Sequence, residues 1–182
     1  VIVLYRWPRV PRATGRLAED LTGAMRAGLR YVRYSPVLRA VLVRSGVFIV
    51  CGAALWALLP LLARNEFGLG ATGYGVLLGC LGAGAVLGAA LLPQLRRKLP
   101  VNLLIAAATL LFGVVTLILA CAQNFFFLSG AMIAGGVAWI AVMSSFNVAA
   151  QTAVPEWVRA RALAVYLLVV QGGMAAGSVL WG

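Results

Sequence analysis

The side chains able to do chemistry within this sequence's long apolar stretches are Trp56, Trp139, Ser144, Asn147, Gln151 and Gln171. Their chemistry is hydrogen bonding and aromatic contact, not proton transfer. Asn147 and Gln151 lie one helical turn apart and share a face. An uncharged amide in hydrocarbon needs a partner, either a neighbouring helix or a water-filled cavity. Two roles therefore fit this set. One is plain interhelical hydrogen bonding. The other makes these residues substrate-cavity candidates, with Trp56, Trp139 and Gln171 meeting an amphiphilic solute that has both a ring and a polar edge.

A second set stands where the apolar stretches end. Arg96, Arg97, Glu156, Arg159 and Arg161 fall on one side of the expected membrane and are candidates for a cytoplasmic gate. Pro155 suits the first turn of a helix, and Glu156 beside it complements the positive end of the helix dipole. Glu156 either pairs with one of these arginines and latches the cytoplasmic ends, or is a helix cap beside ordinary topology charge.

Other chemistry is excluded by what the chain lacks. It has no histidine, which removes the usual general base, the commonest metal ligand and histidine-activated nucleophiles. Glu66 and Glu156 fall in connections, and Glu19 and Asp20 precede the first long apolar run, so no two-carboxylate site or metal cage is expected. Cys51, Cys80 and Cys121 each sit alone in a different run and read as packing residues. GYGVLLG and GAGAVLG have the wrong spacing for dinucleotide loops and lie inside an apolar run. The expectation is a chain that is not an enzyme and carries no cofactor and no metal.

The elements that must position these residues follow from composition. Hydrophobic residues make up 63% and charged residues 10%, against about 25% charged in an ordinary soluble domain. Lipid accepts such surface; water does not. Long apolar runs fall at about 41–63, 73–95, 101–122, 125–150 and 163–182. About twenty residues of helix cross a hydrocarbon core, and lipid leaves no partner for an open backbone. The fold class is thus an all-α membrane protein, a polytopic helical bundle of about five transmembrane helices joined by tight connections.

Charge sets the orientation. Of the 15 Lys and Arg residues, all but Arg64 fall on alternate segments, which predicts a cytoplasmic N-terminal segment and an outward-directed Gly182. The same placement explains the net charge of +11 without nucleic acid, because no basic stripe interleaved with aromatics lies outside the membrane flanks. Arg44, just inside the first span, can snorkel to the headgroups. Residues 1–5 read as the end of a preceding transmembrane helix, and residues 6–40 as a basic cytoplasmic loop. Within that loop Leu17, Leu21, Met25, Leu29 and Val32 lie near one helical face, with Arg26, Arg30 and Arg33 on another. This stretch suits either a membrane surface or a cytosolic linker helix, and Pro36 stops it.

Glycine spacing indicates helix packing. Gly75, Gly79, Gly84 and Gly88 in the second run, and Gly173 and Gly177 in the fifth, repeat every fourth residue and would let backbones approach. The second and fifth helices are accordingly expected at the centre and the third at the edge.

Three stretches resemble the C-terminal half of a major facilitator superfamily transporter, closest to the bacterial secretion-effector branch that includes the enterobactin exporter. They are RYVRYSPVLRAVLVRSGVF at 30–48, ALWALLPLLARNEFGLGATGYGVLLGCLGAGAVLGAALLPQLRRKL at 54–99, and NVAAQTAVPEWVRARALAVYLLVVQGGMAAGSVLWG at 147–182. The resemblance implies that the five spans correspond to helices seven to eleven of twelve, with the N-terminal half of the same transporter and a final helix elsewhere. The superfamily's loop motif maps onto Gly88 through Arg97, with Leu92 and Pro93 in place of its Asp and Arg. It further implies a bacterial inner-membrane, multi-pass exporter of small amphiphilic molecules such as drugs or siderophores, working by alternating access. Its expected partners are the lipid bilayer and a small-molecule solute. The competing expectation is a non-transporting membrane scaffold or regulatory module.

Overall fold

The computed structural model describes residues 28, 30–65, 70–121 and 124–182. The expected helix end at 1–5, the connector at 6–16 and most of the amphipathic stretch at 17–34 lie outside the described residues, although residues 30–34 of that stretch are helical. Beyond it the chain forms five long helices: α1 (Pro36–Asn65), α2 (Gly70–Lys98), α3 (Val101–Cys121), α4 (Phe125–Thr152) and α5 (Glu156–Trp181). Each is long and apolar enough to cross a membrane. The described residues contain no strand, so the protein is an all-α polytopic membrane bundle.

Helix ends are set by local chemistry. The chain leaves the helical conformation at Ser35 and re-enters it at Pro36, where a missing N–H costs nothing. Ser35 Oγ accepts from the Leu38 N–H at 3.4 Å. Gly70 opens α2 with φ +54°, a left-handed conformation that favours glycine. Asn124 caps α4, its Oδ1 accepting from the Phe126 and Phe127 N–H groups at 2.9 and 3.3 Å. Pro155 stands at the cap position of α5 with extended backbone, and Glu156 is its first helical residue.

Five serine and threonine hydroxyls within the helices bond to their own backbone. Ser45, Thr116, Ser129, Thr152 and Ser178 each donate to a carbonyl three or four residues back. Large apolar side chains such as Val86, Leu110, Leu117, Leu168 and Val179 are exposed around the outside, the surface that lipid would cover.

Two intimate helix pairs organise the bundle. Positions 84 and 88 of α2 meet Ile133, Val137 and Ile140 of α4, and Arg96 reaches Ser144. The numbers rise together, so α2 and α4 run parallel. On the other side Gly46, Ile49 and Ala53 of α1 meet Val169, Gly173 and Gly177 of α5, so this pair is parallel too. The tight connections make the two pairs run in opposite directions.

The structure corrects the expected centre. α4 touches all four other helices and buries residues on several sides, including Leu128, Met132, Gly136, Val142 and Phe146. α5 leans mainly on α1 and buries only Val158, Ala162, Tyr166 and Gly177. Glycine content reports how closely one neighbour approaches, not how many neighbours a helix has. α3 buries a single stripe, Leu104, Ala108, Phe112, Val115 and Leu119, and lies at the edge.

Candidate functional site

An aromatic cluster forms where α1, α3 and α4 meet. Trp139 of α4 is its hub, with ring centroids 5.5 Å from Phe112, 5.7 Å from Trp56 and 5.8 Å from Phe48. Phe48 also approaches Phe112 at 5.4 Å and Phe146 at 6.3 Å. The rings pack over Gly52 of α1, with Phe112 and Trp139 ring carbons 3.4 Å from where its Cβ would be, an ordinary contact. Tilted and edge-to-face pairs at these separations add to the ordinary gain of apolar contact.

Of the two tryptophans in this cluster, Trp56 holds its polar group in a buried position. Its Nε1 is buried without a hydrogen-bond partner among the described residues. Pro60, one turn later, has no N–H to give the Trp56 carbonyl its helical bond. A buried N–H left unpaired in apolar surroundings costs about 1–3 kcal/mol. The indole is therefore a donor that gains from any acceptor brought to it.

The other sequence-selected residues lie elsewhere. Gln151 donates to Asn147 along the exposed side of α4, a pairing within one helix. Gln171 is exposed on α5 and its side chain makes no hydrogen bond to a described residue. Ser144 faces α2 and accepts from Arg96 Nη2 at 3.1 Å, with Ser145 accepting at 3.4 Å. Ser144 and Arg96 border a cleft of about 520 Å³, also lined by Ala89, Leu92, Pro93 and Ile140.

At the basic end of the bundle Glu156 meets an arginine of its own helix. Its carboxylate lies 3.8 Å from Arg159, one turn along the same helix, so the pair ties no two elements together. Exposed on its own helix, Glu156 reaches the nearest arginine within α5, and such pairs contribute little. Arg159 Nε is buried without a hydrogen-bond partner among the described residues. Arg161 backs onto Gly28, whose Cβ would stand 3.1 Å from its own. Tyr31 meets Trp157 edge-on at 6.1 Å, so residues before α1 dock on the first turns of α5. Arg97 is exposed.

The glycines divide. A Cβ at Gly84 or Gly88 would collide with the α4 backbone at Ile133 or Val137 and one at Gly177 with Val50 or Ala53 of α1, while one at Gly173 would press on the Ile49 side chain at 3.1 Å. Gly75 and Gly79 have nothing within 4 Å among the described residues, so they pack no helix there. Sequence reasoning missed Phe48, Phe112, Phe146, Ser145 and Gly136. Gly136 faces the Leu81 carbonyl of α2, and its signal was a small residue aligned with the Gly84 repeat.

A family model described as transmembrane secretion effector matches residues 1–182, the whole chain. Neither the curated proteins nor the solved structures contain a match.

Proposed function

The chain belongs to the transmembrane secretion effector family, and we propose that it works as part of a secondary active transporter of the major facilitator type, exporting small amphiphilic molecules by alternating access. The family match along residues 1–182 carries this reading, and it points to transport rather than catalysis. In it, the bundle rocks against a companion bundle of the same transporter around a site near the bilayer midplane. The protein sits in a bacterial inner membrane with the N-terminal segment cytoplasmic, as its basic residues favour. Drugs and siderophores are the solute types this reading covers.

The Trp56–Trp139 pair supports an amphiphilic solute. It offers aromatic faces and one buried N–H without a partner among the described residues. Tilting of α1 at Pro60 would present that donor to a solute acceptor while its ring edge stays on Trp139.

The test is gradient-driven efflux of a panel of fluorescent aromatic amphiphiles from vesicles holding the complete protein. Efflux is expected, with the rate falling about tenfold in Trp139→Ala at an unchanged membrane level, the size of effect that loss of one well-packed aromatic contact produces. Correct insertion without flux of any panel member overturns transport and favours a scaffold. Full flux in Trp139→Ala removes the aromatic cluster from the solute path.

A further inference from the structure

Basic side chains near the end of a membrane helix ordinarily extend outward, burying the stem and leaving the head in water. Arg97 and Lys98 are exposed at the end of α2 in this way. Arg96 is not. Its guanidinium is half-buried and held against Ser144 and Ser145 of α4. Ser144 stands about 12 Å along the axis before the helix ends at Thr152.

Two hydroxyls satisfy hydrogen bonds but carry no charge. Glu156 is engaged with Arg159, and no carboxylate reaches Arg96 among the described residues. A guanidinium has five N–H donors, and the serines engage only Nη2. The adjoining cleft has walls of Ala89, Leu92, Pro93 and Ile140, with Arg96 and Ser144 as its polar part. At about 520 Å³ it falls within the size range of small-molecule sites.

We propose that this cleft between α2 and α4 binds an amphiphile with an oxyanion head, a carboxylate or phosphate, against Arg96 and an apolar tail along the cleft. The planar guanidinium presents two parallel N–H groups to such a head. The Ser144 hydroxyl accepts from Arg96 and is free to turn its own proton toward the anion. The site lies apart from the aromatic cluster, and binding there is read without any flux. Its occupant comes either from the bilayer, as an anionic lipid, or from solution, as an acidic solute.

The experiment titrates the purified complete protein, in a neutral maltoside detergent, with dodecyl phosphate and separately with dodecyltrimethylammonium. Saturable binding and a raised unfolding temperature are expected for the phosphate alone. Arg96→Gln should weaken it about tenfold or more, the effect of losing a charged hydrogen-bond donor. Arg96→Lys should weaken it less, and Ser144→Ala about tenfold, the low end for a hydrogen bond to a charged group. Equal affinity in wild type and Arg96→Gln overturns the site. So does an absence of binding to wild type, as when an acidic side chain outside the described residues fills the cleft. Should Arg96→Gln fail to fold, unchanged affinity in both Arg96→Lys and Ser144→Ala overturns it equally. Phosphatidylcholine nanodiscs separate the sources: competition by added phosphatidylglycerol identifies the lipid, and undiminished dodecyl phosphate binding identifies a dissolved solute. Either result leaves the anionic site standing.

Discussion

The α2·α4 and α5·α1 pairs are two versions of one arrangement. In each, two parallel helices meet over glycines four residues apart, Gly84 and Gly88 on α2, Gly173 and Gly177 on α5. Exchanging α1 with α4 and α2 with α5 turns one pair into the other, with the direction through the membrane reversed. This is the relation that inverted repeats produce. In each pair one side chain near the end of the glycine helix also donates hydrogen bonds to the partner. In the first, Arg96 donates to Ser144 and Ser145; in the second, Trp181 Nε1 donates to the Val50 carbonyl at 3.0 Å.

The pairs differ in closeness. In α2·α4 glycines on both helices face the other's backbone, since a Cβ at Gly84 would meet the Ile133 carbonyl and one at Gly136 the Leu81 carbonyl, whereas Gly46 of α1 faces only the Val169 side chain. In α5·α1 the glycines of α5 meet Ile49, Val50 and Ala53, and a Cβ at Gly173 would touch Ile49 side-chain carbon at 3.1 Å. A small-residue repeat on one helix permits approach, but the partner's residues decide how near the backbones come.

The largest expected effect is therefore Gly136→Leu. Its added carbons would point into α2 backbone at Leu81 and Ala85, which cannot move aside as a side chain can. Overpacking an ordinary core costs about 1–3 kcal/mol, and a backbone obstruction should exceed that range. Loss of the monodisperse folded species on size-exclusion chromatography in detergent is the expected outcome. Gly177→Leu should cost less, within that range, because part of its obstruction is the Ala53 methyl. Thermal unfolding of the two variants side by side orders the pairs. An equal or greater loss in Gly177→Leu would break the distinction between them.

How much of this could be read in the sequence depends on the kind of feature. The five helices were legible, because runs of apolar residues bounded by RRKLP and VPEWVRAR leave a membrane chain few alternatives. The glycine repeats were legible as repeats, but not by face. Gly75 and Gly79 have the spacing of Gly84 and Gly88 and meet nothing described. Spacing fixes a stripe on one helix and says nothing of what stands opposite. For the same reason Trp56 and Trp139 could be selected as polar residues at depth, whereas their edge-to-face contact needed the crossing of α1 and α4. Arg96 was legible as a basic residue at a helix end, but its bond to Ser144 joins positions far apart in the chain. For Glu156 the sequence left two readings open, a latch to one of the arginines or a helix cap, and its carboxylate lies 3.8 Å from Arg159 on its own helix.

A smaller effect is expected from Trp181→Phe. The ring is half-exposed at the end of α5, and the substitution keeps most of its apolar contact while removing one donor. The Val50 carbonyl remains within the α1 helical ladder, so nothing buried is left without a partner. Loss of about 1 kcal/mol is expected, the ordinary net worth of a hydrogen bond, read as a shift in the unfolding midpoint. A loss comparable with that of Gly177→Leu would mean that the indole bond, rather than glycine packing, holds α5 to α1.

The smallest effect should come from Gly79→Ala. This glycine lies on the same helix as Gly84, a little over one turn away, yet a Cβ there has nothing within 4 Å among the described residues. Alanine lowers the conformational freedom that the unfolded chain loses on forming a helix, which favours it over glycine by up to about 1 kcal/mol in a helix interior. The unfolding midpoint should hold or rise slightly, while Gly84→Ala, placing the same methyl against the Ile133 carbonyl, should lower it. The contrast uses one chemical change at two positions of one helix, so helix propensity cancels and only the neighbour differs. A fall in Gly79→Ala matching that in Gly84→Ala would mean that a further element packs on the outer face of α2, giving this helix a second close interface that α5 lacks.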